Sequence, residues 1–258
     1  MEQLVRYIGR KTLTCINYFL NLFAFTYKIL RLIFKRPTPG KLLVKKIIFE
    51  QIYFTAIEAL PIFIPVALII GSMILVQFAK ISGQYDLGKI TILLIVREFG
   101  PIITALLVIL RSATAVIIEI SHMNVLNEIN AMEMCGIDPM HIVCLPRLIG
   151  ITSAILSLFI IFDIVSIMGG YAIVWGMTDI PMGNFTGQIV KAVTPSDITV
   201  GIVKAICFGV TISVVSLYHG FKTKKRITNI PVSISKGTMA CFFYCLLINI
   251  FISVLFYL

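Results

Sequence analysis

The stretch Asn127-Glu-Ile-Asn-Ala-Met-Glu-Met-Cys-Gly-Ile-Asp-Pro139 is a short polar island between two long apolar runs. It reads as an amphipathic helix, with Gly136 as its stop and Asp138-Pro139 as the restart. The flanking runs, about 89–118 and 143–172, each reach the ~20 apolar residues that cross ~30 Å of hydrocarbon. A polar helix between two such runs must lie outside the lipid, on one face of a membrane. In a permease, that is where a motor subunit would push.

Composition agrees with this reading. Of 258 residues, 59% are hydrophobic and only 13% charged. The mean hydropathy is +1.00, far above that of a soluble domain. Backbone groups in lipid must be satisfied internally, so the spans are expected to be helices. A membrane β-barrel would show ~10-residue alternating segments, which this sequence lacks. No cleavable leader is expected, because the N-terminal basic residues run on to Lys46 without a short apolar core and small-residue cleavage site.

The fold class expected is all-α and membrane-integral. An N-terminal interfacial helix precedes about five transmembrane helices, and a helix outside the lipid joins the second to the third. Residues 1–50 form a basic amphipathic segment broken by Pro37 and Pro39. The spans are expected near 52–80 (interrupted by Pro61, Pro65 and Gly71), 89–118, 143–172, 198–218 and 236–258. A polar turn, 82–88, follows the first, and the loop 173–197 has room for a short helix.

Lys and Arg set the orientation. Ten of them, from Arg6 to Lys46, precede the first span, and Lys222, Lys224, Lys225 and Arg226 lie between the last two. The loops at 81–88 and 173–197 contain only Lys191, with Lys80 and Lys89 at their edges. The positive-inside rule then makes the N-terminus and the 119–142 and 219–235 loops cytoplasmic, and five spans put the C-terminus on the opposite side. The net charge of +10 is a topology signal with affinity for anionic lipid, and no nucleic-acid partner is expected.

Four ordered blocks carry a family resemblance. They are Leu94-Ile-Val-Arg-Glu-Phe-Gly-Pro-Ile-Ile-Thr-Ala-Leu-Leu107, Arg111-Ser-Ala with Glu119-Ile, Ala131-Met-Glu-Met with Gly136-Ile-Asp-Pro139, and Pro146-Arg147. With Gly71, Gln77, Gly169-Gly170, Lys204 and Ser216-Leu-Tyr-His-Gly220, they resemble the MlaE (YrbE-type) permease family over about residues 45–240. The chain departs from that family at Asn127-Glu128-Ile129, where many members have Glu-Gln-(Leu/Ile). It departs again at Arg111-Ser-Ala-Thr-Ala115, where Arg-Ala-Gly-Ser-Ala is common.

The resemblance implies the membrane subunit of an ABC system that moves phospholipids in the inner membrane of bacteria with two membranes, so the side opposite the cytoplasm, with the C-terminus, would be periplasmic. Residues 51–258 would be the permease domain. The partners implied are a cytoplasmic ABC ATPase and a periplasmic lipid-binding protein with an MCE domain. A phosphate-binding Gly-x-x-x-x-Gly-Lys-Ser/Thr loop is absent, so ATP is expected on the ATPase and no cofactor on this chain. Five spans are few for a lipid path, so a second copy of the chain is expected across a two-fold axis.

Two sets of residues are candidates. At the projecting helix, Met123, Ile129 and Met132 are expected to insert into an ATPase groove, with Asn127, Glu128 and Glu133 at its rim and Asp138 starting the next turn. Within the spans, Arg97 and Glu98 are costly charges that point about 100° apart and so need other partners, such as Lys204 or Gln77. They either line a lipid path and its gate or form an internal pair that fixes helix packing. Pro101, just beyond, should free a backbone carbonyl that needs a neighbour. Arg111 and Glu119, two turns apart, are expected on one face, reaching toward the cytoplasmic interface.

Cys15, Cys135, Cys144, Cys207, Cys241 and Cys245 read as small apolar residues, and His122, His141 and His219 do not cluster as metal ligands. An ion-coupled secondary transporter would show internal repeats and mid-membrane acids. A lipid-modifying enzyme would need a clustered acid, base or metal set. A structural anchor is the remaining alternative.

Overall fold

The computed structural model describes residues 2–34, 41–81, 94–177, 195–224 and 226–257. Among them, all regular structure is helical. Five runs are long and apolar enough to span a bilayer: Leu42–Gln77, Ile95–Val125, Met140–Ile173, Ser196–Phe221 and Ile227–Phe256. Pro37, Pro39, the turn at 82–88 and the loop residues 178–194, with Pro181 and Lys191, lie outside the described residues.

Helix α1 (Glu2–Phe34) lies against one end of the bundle. Its exposed stripe is Leu13, Ile16, Leu20, Phe23 and Tyr27, spaced three and four apart. On its inner side Ile29 is fully buried. The Tyr18 hydroxyl meets His219 Nε2 at 3.3 Å, and the Lys222 ammonium sits 5.3 Å from the Tyr18 ring. The helix therefore packs where the fourth span gives way to a basic loop. We call this the basic end.

The first span is two helices, α2 (Lys41–Thr55) and α3 (Leu60–Ile81), joined by a tight turn at Ile57–Ala59. Pro61 explains the break: it has no N–H for the Ile57 carbonyl, and its ring crowds that carbonyl. The Leu60 N–H bonds Ile57 instead. Pro65 is carried inside α3 without a break. Gly71 does not interrupt the span either; it is a contact point with the third. The expected boundary at residue 50 falls inside α2, so the last residues of the basic segment and the start of the first span share one helix.

The second span has two wide π-helical turns, Ile95–Phe99 and Ile109–Ala113, around α4 (Gly100–Val108) and α5 (Thr114–Val125). A third wide turn, Met140–Cys144, opens the third span ahead of α7 (Leu145–Met177). The fourth span lies in α8 (Pro195–Phe221) and the fifth in α9 (Ile230–Tyr257). Spans two to five all run past their expected limits at the basic end, the fifth starting at Ile227 rather than 236. Hydropathy marks the part of a helix inside lipid, whereas hydrogen bonding continues beyond it.

The fourth span is the centre of the bundle, packed by the second, third and fifth. Its most apolar window is 56% buried, against 28% for the first span and 22% for the fifth. Phe159 and Phe162 of the third span and Phe208 and Ile212 of the fourth fill the core. The first and fifth spans keep apolar outer faces, such as Phe243, Ile250 and Phe251, suited to lipid or to another copy.

Candidate functional site

Between the second and third spans the chain projects as α6 (Glu128–Met134). Asn127 precedes it in the left-handed region, with φ 60°. Gly136 follows with φ 74°, a conformation that glycine adopts without strain. The Ile137 N–H donates to Met132 O at 2.9 Å and the Gly136 N–H to Glu133 O at 3.0 Å, a Schellman closure. Asp138 Oδ1 then accepts the Met140 N–H at 3.0 Å, so Asp138 caps the third span with Pro139 behind it. The helix is thus fixed at its exit by backbone geometry, not by burial.

Its faces differ from the expectation. Ile129 is buried, and Met123 and Met132 pack against the protomer's own core. The apolar side chains that face outward are Leu126, Met134 and Ile137; Met134 is 88% exposed. Asn127, Glu128, Glu133 and Asp138 are exposed around them. Periodicity identified an apolar face but could not say whether a partner or the chain itself covers it. Beside α6, Ala115, Ile118, Glu119, His122, Met123 and Glu128 line an open groove of about 660 Å³.

The end of the second span, just before the projection, is clamped to the end of the fourth span and the loop after it. Ser121 Oγ and Thr223 Oγ1 are 2.7 Å apart. Asn124 Nδ2 donates to Phe221 O and Thr223 O at 2.9 and 2.8 Å. Arg147, buried at the start of α7, pairs with Glu119. A force on α6 would therefore be felt by spans two, three and four together.

At the opposite end lies a polar cluster. Lys204 is fully buried. Its Nζ meets Glu98 Oε1 at 2.8 Å, Ser253 Oγ at 2.8 Å and the Arg97 carbonyl at 3.0 Å. That carbonyl is the one Pro101 leaves without its helical donor, so the lysine supplies it. Ser253 and Asn249 also donate to Glu98. The Arg97 guanidinium reaches Asp197 at 3.4 Å and the Phe256 carbonyl at 3.2 Å.

Two cations and two carboxylates balance, and spans two, four and five are joined. Sequence reasoning brought Glu98 and Lys204 together but missed Asp197, Asn249 and Ser253. Asn249 and Ser253 could have been found as an i, i+4 polar pair on an apolar helix. Gln77 is exposed at the end of the first span. Among the described residues no hydrogen bond ties it to the cluster.

Arg111 and Glu119 part company. Arg111 Nη2 pairs with Glu58 Oε2 at 2.9 Å, its Nη1 donates to the Phe54 carbonyl, and its guanidinium lies 4.7 Å from the Phe54 ring. The wide turn at Ile109–Ala113 spoils the two-turn alignment with Glu119. Cys144, Cys241 and Cys245 are buried as small apolar residues.

Comparison with known proteins supports one family. A probable ABC transporter permease protein of Rickettsia conorii is 26% identical over 215 residues, 82% of this chain and 83% of the relative. The intermembrane phospholipid transport system permease protein MlaE of Haemophilus influenzae is 28% identical over 180 residues, 68% of this chain and 69% of the relative. A probable ABC transporter permease protein of Synechocystis is 24% identical over 210 residues, 79% of each chain. Residues 48–255 match the family described as Permease MlaE, and they include α6, the clamp and the polar cluster: this chain belongs to the MlaE permease family.

Proposed function

We propose that this chain is the permease subunit of an ABC transporter that moves phospholipids between the inner and outer membranes. The observation that carries the reading is the projecting, Schellman-closed helix α6, which follows directly on the clamp between the second and fourth spans at the basic end of a family-matched bundle. The basic end faces the cytoplasm, following the Lys and Arg distribution. There an ABC ATPase grips Leu126, Met134 and Ile137, rimmed by Glu128 and Glu133, and binds and hydrolyses the ATP. Two copies of the chain form the lipid path. A periplasmic MCE-domain protein meets the opposite end. The named phospholipid function of the Haemophilus relative supports this substrate class.

In this reading the polar cluster ties spans two, four and five at the periplasmic end. Arg97 and Glu98 form its rim, and Lys204 is its interior anchor. ATPase closure pulls on α6 and shifts the clamped spans, opening the path between copies. The experiment is co-purification. Leu126→Asp with Met134→Asp changes only exposed side chains, so the spans should still insert. Retained ATPase should fall roughly tenfold or more, as for central interface anchors. Met132 is unsuitable, because it is packed inward. Full ATPase retention by a folded variant would count against α6 as the docking element.

Orientation has its own check, made in a cysteine-free background. In intact cells, Glu133→Cys should resist a membrane-impermeant thiol reagent, and Asn184→Cys in the loop after the third span should react. The reverse pattern overturns the assignment of the basic end to the cytoplasm.

A further inference from the structure

The Arg111–Glu58 pair is in an unusual place. On the second span, Arg97 lies near one end of the described residues and Glu119 near the other. They are about 33 Å apart along the axis at ~1.5 Å per residue, close to the ~30 Å thickness of hydrocarbon. Arg111 falls about 12 Å inside the Glu119 level on the same count. Charges at such depth normally face the bundle interior. This pair faces outward: the side chains of Arg111 and Glu58 are 26% and 43% exposed. Leu110 and Ile57 beside it are also exposed.

The backbone is specialised on both sides. Arg111 sits on a wide π turn, a feature common at functional sites. Glu58 sits in the break of the first span, where the Phe54 carbonyl is bonded by Arg111. The guanidinium has five N–H donors in a planar fork. Its bonds to Glu58 and Phe54 use two of them, and the side chain remains 26% exposed. The result is a cation and an anion side by side, open to the membrane below the cytoplasmic surface.

We infer that Arg111 and Glu58 form a headgroup station for a zwitterionic, amine-bearing phospholipid in the cytoplasmic half of the path. Arg111 takes the phosphate through its fork, and Glu58 takes the ammonium. The charge pattern of the pair is the complement of that headgroup. An anionic headgroup without an amine satisfies only Arg111 and meets repulsion from Glu58. The inference rests on the permease reading for its substrate class. It adds a second polar station, distinct from the Arg97–Lys204 cluster at the other end.

The test uses the full chain in bilayers of mixed phosphatidylethanolamine and phosphatidylglycerol. One variant carries Leu110→p-benzoylphenylalanine, beside the pair. A control carries Met239→p-benzoylphenylalanine, on the exposed face of the fifth span. Mass analysis of the photo-adducts gives the ratio of the two lipids at each position. At 110, phosphatidylethanolamine should be enriched about fivefold over the bulk, the worth of one exposed charge-assisted contact. At 239 the ratio should follow the bulk. Adding Glu58→Gln should remove the enrichment, and Arg111→Gln should lower all lipid adducts at 110.

Arg97→Ala should leave the ratio at 110 unchanged. A bulk ratio at 110 would overturn the inference. ATP-driven lipid transfer by the wild-type complex is measured alongside. Transfer with a bulk ratio at 110 removes the station and leaves the permease. Enrichment without transfer leaves the station and removes the permease reading.

Discussion

Lys204→Met should sharply reduce the yield of folded protein. The side chain is fully buried and supplies three hydrogen bonds, to Glu98, Ser253 and the Arg97 carbonyl. Methionine fills the space but offers no donor. Glu98 is left as a carboxylate without its cation, and the carbonyl released by Pro101 loses its partner. Breaking a buried pair from one side costs about 3–5 kcal/mol. Whole domains hold only about 5–15 kcal/mol. The monodisperse fraction in detergent and the melting temperature should both fall. Lys204→Met with Glu98→Gln should recover part of the loss, because no unpaired charge remains. An unchanged melting temperature for the single variant would show that the cluster does not hold the spans.

Gly71→Ala should be nearly as damaging, through packing rather than charge. A Cβ built on Gly71 runs into the Ser166 carbonyl oxygen and lies 2.7 Å from the Ser166 Cα, and one on Gly170 falls 2.8 Å from the Gly71 carbonyl carbon. Both neighbours are backbone, which cannot rotate away. Close approach of small residues is what packs helices in lipid, where apolar burial alone gives little preference. Ser166 Oγ donates to the Ala67 carbonyl at 3.1 Å across the same seam. Overpacking of this kind costs typically about 1–3 kcal/mol, and more when only backbone is available to move. Gly176→Ala is the control, since nothing lies within 4 Å of its Cβ. Equal melting temperatures for the two variants would contradict the close first-to-third seam.

The spans are legible in the sequence because lipid thickness and backbone hydrogen bonding leave few choices for long apolar runs. Pro61 marks the break in the first span. The wide turns are not legible, since nothing in Ile109–Ala113 distinguishes π from α spacing. Regular α spacing therefore aligns Arg111 with Glu119 and hides its true partner, Glu58. Pro101 is informative, because a missing donor fixes which carbonyl needs help, and Lys204 provides it. Asp197 is hidden at a helix start, where an acidic residue has an ordinary capping role. The inward turn of Ile129 and Met132 depends on how α6 sits on the bundle, which its own sequence does not encode.

The most direct measurement is phospholipid transfer by the reconstituted complex. The full chain, its co-purified ATPase and its periplasmic partner are placed in vesicles containing a fluorescent phospholipid, and transfer is followed with and without ATP. Transfer that requires ATP and is lost in Leu126→Asp with Met134→Asp is the expected result. The contradicting result is transfer that proceeds without ATP under an ion gradient and is abolished by Asp163→Asn. Asp163 is an acid of the third span with a buried oxygen that has no hydrogen-bond partner among the described residues. That outcome would make the chain an ion-coupled transporter.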